Sequence, residues 1–142
     1  MRILIAIFSL ISALALPVHA EQKVDLGPWE VHYVVFNSTF IPPEVATAYG
    51  LKRNGRNALI NISVLKAEGD DKIAQRLSVE GSAQNLLGNK KQLSFKEVRE
   101  GESVYYLSQL TFSNEETFNF DITLTQGNQT QRLQFSQQLY VD

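Results

Sequence analysis

The sequence predicts an all-β domain, a two-layer β-sandwich of immunoglobulin-like type with about seven strands and one short helix in the crossover after the first long strand. Three observations carry that expectation. Apolar and polar residues alternate with period two in seven runs, each run is bounded by Gly, Asn or Asp, and a single segment breaks the alternation with two prolines and a terminal glycine. Period two sends successive side chains to opposite faces of a strand, and the bounding residues are those that turn a chain. Seven short strands with regular turns fit two packed sheets, with a small barrel as the alternative.

Ahead of the domain lies an N-terminal segment of different character. Arg2, a largely apolar run over residues 3–16 and Pro17-Val18-His19-Ala20 have the layout of a secretory signal peptide, with small residues at the two positions that a signal peptidase reads. The apolar run is shorter than the roughly 20 residues of a spanning helix, so cleavage after Ala20 is expected, leaving one domain over residues 21–142. The chain has no cysteine. That removes the lipid-anchoring residue at the cut and any disulfide framework, and points to a soluble periplasmic product held by apolar packing. The sequons at Asn37, Asn61 and Asn128 read as chance matches outside a glycosylating host.

The first run, residues 29–36, is apolar on both parities, with Trp29, Val31, Tyr33 and Val35 on one face and Val34 and Phe36 on the other. A strand of that kind is central or covered on both sides. Residues 58–66 place Ala58, Ile60, Ile62 and Val64 on a core face. After the Gly69-Asp70-Asp71 turn, residues 73–83 are expected to return as the second arm of a hairpin. Residues 92–99 share Leu93 and Phe95 on one face before the alternation falters at Glu97-Val98, which suggests a bulge or an edge strand. Residues 103–112 follow Glu100-Gly101. Residues 118–125 and 131–141 alternate most cleanly and read as a closing hairpin around Gly127-Asn128, their glutamines facing water.

Between the first and second runs, Ile41-Pro42-Pro43-Glu44 opens and Gly50 closes a helix of one or two turns. The whole 37–56 loop is long against the usual 4–6 residues, and long ordered loops often carry function.

Composition narrows the chemistry. Thirteen Lys and Arg against fifteen Asp and Glu give a net charge of −2, and loss of Arg2 makes it −3, which argues against a nucleic-acid partner. The basic groups Lys52-Arg53-Arg56 and Lys90-Lys91 sit beside turns and read as solvated loop charge. Beyond Ala20 only His32 remains as a histidine, with no cysteine and no methionine, so no cofactor and no transition metal is expected. Asp70-Asp71 and Glu115-Glu116 lack the spacing of a calcium loop. No nucleophile elbow and no phosphate-binding glycine loop is present.

His32 shares its parity with Glu30, Val34 and Phe36. The candidate binding site is a polar patch under the loop framed by His32, Tyr49, Arg53 and Asn61; no catalytic residue is assigned. The run His32-Tyr33, Phe36-Asn37-Ser38, Phe40-Ile41-Pro42-Pro43-Glu44-Val45-Ala46, Tyr49-Gly50-Leu51, Arg53 and Asn61-Ile62-Ser63-Val64 resembles domain-of-unknown-function family 4426, small exported gammaproteobacterial proteins. The resemblance implies a β-rich periplasmic protein and carries over no catalytic residue. The function expected is therefore a non-enzymatic binding module for an envelope protein or peptide, without stable membrane insertion. The alternative is a small hydrolase using His32 with neighbouring acids.

Overall fold

The computed structural model describes residues 21–142, and the expected signal peptide lies outside them. Ten strands over the described residues form two antiparallel sheets, where the sequence displays seven alternating runs. The first sheet holds β1 (Gln22–Leu26), β2 (Trp29–Asn37), β3 (Asn57–Glu68), β8 (Ser103–Thr111) and β7 (Lys96–Glu100) in that order, with β4 (Asp71–Ala74) also paired to β3. The second runs β10 (Gln129–Leu139), β9 (Glu116–Gln126), β5 (Ser78–Asn85), β6 (Lys90–Leu93). The helix α1 spans Pro43–Tyr49 in the predicted crossover, preceded by a 3-10 turn at Ser38–Phe40.

The three additional strands have separate causes. β1 holds only Val24 and Leu26 as apolar residues and pairs with β2 alone, so its alternation is too short to stand out as a run. Residues 73–83 are one run in sequence and two strands in space. Only Asp71–Ala74 forms the expected hairpin with β3, turned at Gly69, and after Gln75 the chain crosses to the second sheet to pair with β9. Ile73, opposite Lys66, has the parity of Val79 and Ala83, which face the core from β5, so the apolar alternation runs on through the crossing although Ile73 itself is exposed. The crossing is fixed by hydrogen bonds from Leu77 N to the Tyr106 hydroxyl at 2.8 Å and from Gln126 Nε2 to Arg76 O at 2.9 Å.

Residues 92–99 divide in the same way into β6 and β7, the edge strands of different sheets. The faltering alternation has a physical origin there. Glu97 stands on the inward parity, where its carboxylate accepts from the Tyr106 hydroxyl at 3.0 Å and from Arg76 Nε at 3.1 Å. Val98 points outward and is nonetheless buried under the 37–56 segment.

Between the sheets, Trp29, Val31, Val35, Ile60, Ile62 and Val64 meet Phe118, Phe120, Ile122 and Leu124, all essentially fully buried. Each such side chain contributes about 1.5–3 kcal/mol by leaving water. The Phe120 and Phe135 rings stack at 4.7 Å, and Tyr33 lies 4.5 Å from Phe135. Gly81 of β5 faces Ile122 so closely that a Cβ would stand 2.8 Å from its Cγ1 and 2.9 Å from Asp121 O. Only glycine lets β5 and β9 pair so closely at that point of the second sheet.

Candidate functional site

The outer face of the first sheet carries two neighbouring hollows, because the 37–56 segment folds back over only part of it. Seven residues make too short a helix to stand alone, so α1 depends on packing. Ile41 and Ala46 press on Leu59, Val98 and Leu107 to form a second apolar cluster outside the sandwich. Pro43 starts the helix and Gly50, at φ 66°, ends it in the left-handed conformation, with Leu51 N bonded to Ala46 O at 2.8 Å.

Polar contacts close the segment at its base. Asn37 Nδ2 donates to Gly55 O at 2.8 Å, Ser38 Oγ to Asn54 O at 3.0 Å, and Arg53 to the carbonyls of Ile41 at 2.7 Å and Thr39 at 3.1 Å. The Thr39 hydroxyl bonds Asp142, tying the loop to the C-terminal residue. Arg53 is therefore spent on two backbone carbonyls of the loop.

The first hollow, about 230 Å³, lies between this segment and the sheet. Its walls are Phe36, Phe40, Ile41, Pro42, Val45, Tyr49, Leu51, Leu59, Val98, Tyr105 and Leu107, with Asn61 and Glu100 as the only non-aromatic polar residues. Phe40 and Val45 are 59% and 39% exposed, whereas Ile41 between them in sequence is 4% exposed. The Tyr49 hydroxyl donates to Glu100, and Lys96 Nζ donates to Tyr49 O at 2.9 Å. Asn61, flanked by Val34 on β2 and Leu107 on β8, holds its side-chain oxygen sealed from solvent and without a hydrogen-bond partner.

The second hollow, about 620 Å³, opens where β4 and β8 adjoin different stretches of one edge of β3. His32, Ser63, Leu65, Lys72, Glu21, Glu102, Ser103 and Tyr105 line it. His32 Nε2 lies 2.7 Å from Glu30 Oε2, and its Nδ1 lies 3.7 Å from Glu21 Oε1, so each ring nitrogen faces a carboxylate. Glu30 also accepts from Lys72 Nζ at 2.6 Å and has Lys23 at 3.6 Å. The Lys72 hydrogen bond, followed by that of His32, lowers its pKa from 4.5 to about 2. Glu30 is thus a permanent anion at the centre of a small charge network.

Of the four residues singled out in sequence, Tyr49 and Asn61 meet in the first hollow, His32 lines the second, and Arg53 lines neither. Tyr105 forms part of both walls. Sequence reasoning passed over Glu30, Glu100 and Tyr105 as site residues. The strand parity that grouped Glu30 with His32 was the available signal; Glu100, beside a glycine turn, had none. Among the described residues no three His, Cys, Asp or Glu side chains are grouped to hold a metal ion, and no helix is long and apolar enough to cross a membrane.

Comparison with known proteins follows the fold closely. A crystal structure of a DUF4426 family protein from Pseudomonas aeruginosa PAO1 is 35% identical, superposes with a TM-score of 0.74, and is matched over 96% of its chain by 86% of this one. Two structures of FetP from uropathogenic Escherichia coli strain F11 share the fold at low identity. A copper-bound variant gives a TM-score of 0.59 at 10% identity, covering 87% of this chain and 97% of that one. The as-isolated protein gives 0.54 at 12%, covering 87% and 95%. No curated protein matches the chain. The profile described as "Domain of unknown function (DUF4426)" matches residues 23–142, and with the 35% identical relative it establishes what the residues between His32 and Val64 implied: the chain belongs to the DUF4426 family.

Proposed function

We propose that this protein is a periplasmic, non-enzymatic binding module whose contact surface is the apolar hollow under the 37–56 loop. The observation that carries the reading is the split behaviour of that loop. A segment serving only as a plug would bury its apolar residues; here Ile41 and Ala46 are buried while Phe40 and Val45 stand exposed at the mouth of a hollow lined by further rings. Export rests on the Arg2 to Ala20 pattern. The copper of the FetP variant belongs to that protein. Beyond Ala20 this chain offers one histidine and no sulfur ligand, a donor set poorly suited to copper.

A photo-crosslinking residue at position 40, in cells, tests the binding reading against the same residue at position 73, an exposed apolar site away from the loop. Adducts from position 40 that disappear in a Val45→Ser background are expected, with none from position 73. Equal labelling from both, or none from 40, overturns it. N-terminal sequencing of the protein from a periplasmic fraction should begin at Glu21.

A second reading, a hydrolase centred on His32, has one geometric point in its favour: the 2.7 Å contact with Glu30 inside a roomy hollow. Its weakness is the nucleophile. Ser63 is opposite His32 in register, yet no hydrogen bond joins them, and both imidazole nitrogens already face carboxylates. Hydrolysis of an activated ester that vanishes in His32→Ala would support this reading over the first.

A further inference from the structure

We propose that the hollow under the loop selects a small organic cation, an alkylated ammonium group on a compact apolar body. The inference rests on the binding reading above and names its ligand class. Four aromatic residues, Phe36, Phe40, Tyr49 and Tyr105, line a space of about 230 Å³. Glu100 is the only charged residue in that lining, so the formal charge of the wall is negative. Aromatic rings attract cations through their quadrupole, more strongly where water is excluded. The Glu100 carboxylate, at the solvent-exposed rim, adds a screened Coulombic attraction of the same sign.

The nearby basic side chains are committed elsewhere. Lys96 donates to Tyr49 O and Arg53 to the Ile41 and Thr39 carbonyls, and neither lines the hollow. The unpaired carbonyl dipole of Asn61 adds a partial negative charge to the wall without being reachable, since that oxygen is sealed. This last feature decides between kinds of cation. A bare ammonium brings three N–H donors that each require an acceptor, and Glu100, already accepting from Tyr49, is the only open acceptor with a charge. An alkylated ammonium carries its charge under methyl groups and needs ring faces and a nearby anion. The volume favours a small molecule, lying below the roughly 300–1,000 Å³ of drug-sized sites.

The test compares choline with its neutral isostere 3,3-dimethylbutan-1-ol by amide-shift titration of the 21–142 protein. Choline should shift amides of residues 59–61, 98–100 and 105–107 and bind at least about fivefold more tightly than the isostere. Glu100→Gln, which keeps an acceptor for the Tyr49 hydroxyl, should remove most of that difference, while Glu102→Gln in the other hollow should leave it unchanged. Equal binding of the two probes overturns the cation preference and leaves the apolar hollow as a binding site. If neither probe moves those amides, the cation proposal fails, and crosslinking from position 40 decides the binding reading separately.

Discussion

At the scale of single residues, the outer face of the first sheet holds two side chains in unusual states, and each has a measurable consequence. Glu30 is kept ionised by Lys72, His32 and Lys23, with its pKa depressed to about 2. A depressed folded pKa stabilises above the unfolded value of 4.5, and that contribution disappears as pH falls through about 2. Urea midpoints measured across pH should therefore show wild type ahead of Glu30→Gln at neutral pH, with the gap closing between about 4.5 and 2. A gap independent of pH would mean that packing, not charge, sets the effect. Asn61 presents the opposite situation, a polar atom buried between Val34 and Leu107 with nothing to bond. Asn61→Leu removes that desolvation cost, so a gain of about 1 kcal/mol in urea unfolding is expected. A loss would show that Asn61 has a polar partner in solution. A native protein keeps such a residue in a hollow when the site, and not stability, selects it.

At the scale of elements, the 37–56 segment is the part whose stability is separable from the sandwich. Ile41→Ala opens a cavity in the outer cluster, where the cost is about 2–5 kcal/mol, yet it touches none of the residues between the sheets. Proteolysis should cut the variant within the loop while the β-sheet circular dichroism stays native; loss of both signals together would place the outer cluster inside the cooperative core. The same division explains what the sequence discloses. β9 and β10 are legible because Phe118, Phe120, Ile122 and Leu124 alternate without interruption over one buried face. Pro43 and Gly50 announce α1 because helix starts and stops are written in local backbone chemistry. β1 is hidden because an edge strand of five residues with only Val24 and Leu26 turned to the core is too short to register as a periodic run. The sheet crossings after Gln75 and after Leu93 are hidden because parity is conserved when a chain moves between two sheets that share one core. Tyr49 and Asn61 line one hollow only because α1 folds back over β3, and Glu100 joins them from the end of β7, far along the chain. Proximity created by tertiary folding leaves no periodic trace.

The whole molecule is organised around β3, which pairs with β2 on one edge and with both β8 and β4 on the other. Its Asn57 stands opposite Thr111, so closure of the first sheet requires contacts distant in sequence, and folding on the millisecond-to-second scale follows for such a topology. The centre of each sheet should then be the last part to open. β3 lies between neighbours over most of its length, and its Ala58, Ile60, Ile62 and Val64 are completely buried; β9 lies between β5 and β10 with Phe118, Ile122 and Leu124 in the same state. β1, β4, β6 and α1 are short and marginal, with few buried side chains. Amide exchange should therefore rank in three tiers: β1, β4, β6 and α1 first, β10 and β7 next, and the inward halves of β3 and β9 only on global unfolding. The coupling between the two sheets can be tested from Gly81, which meets β9 within the second sheet and touches the first only through the shared core. Gly81→Ala forces a methyl group against Ile122 and the Asp121 carbonyl, backbone that cannot yield without moving β9. Overpacking of that kind costs about 1–3 kcal/mol. If the two sheets form one cooperative unit, the substitution should lower the opening free energy of β3 amides as much as that of β9 amides, although Gly81 is not paired with β3. Protection lost in β9 alone would show that the sheets unfold independently.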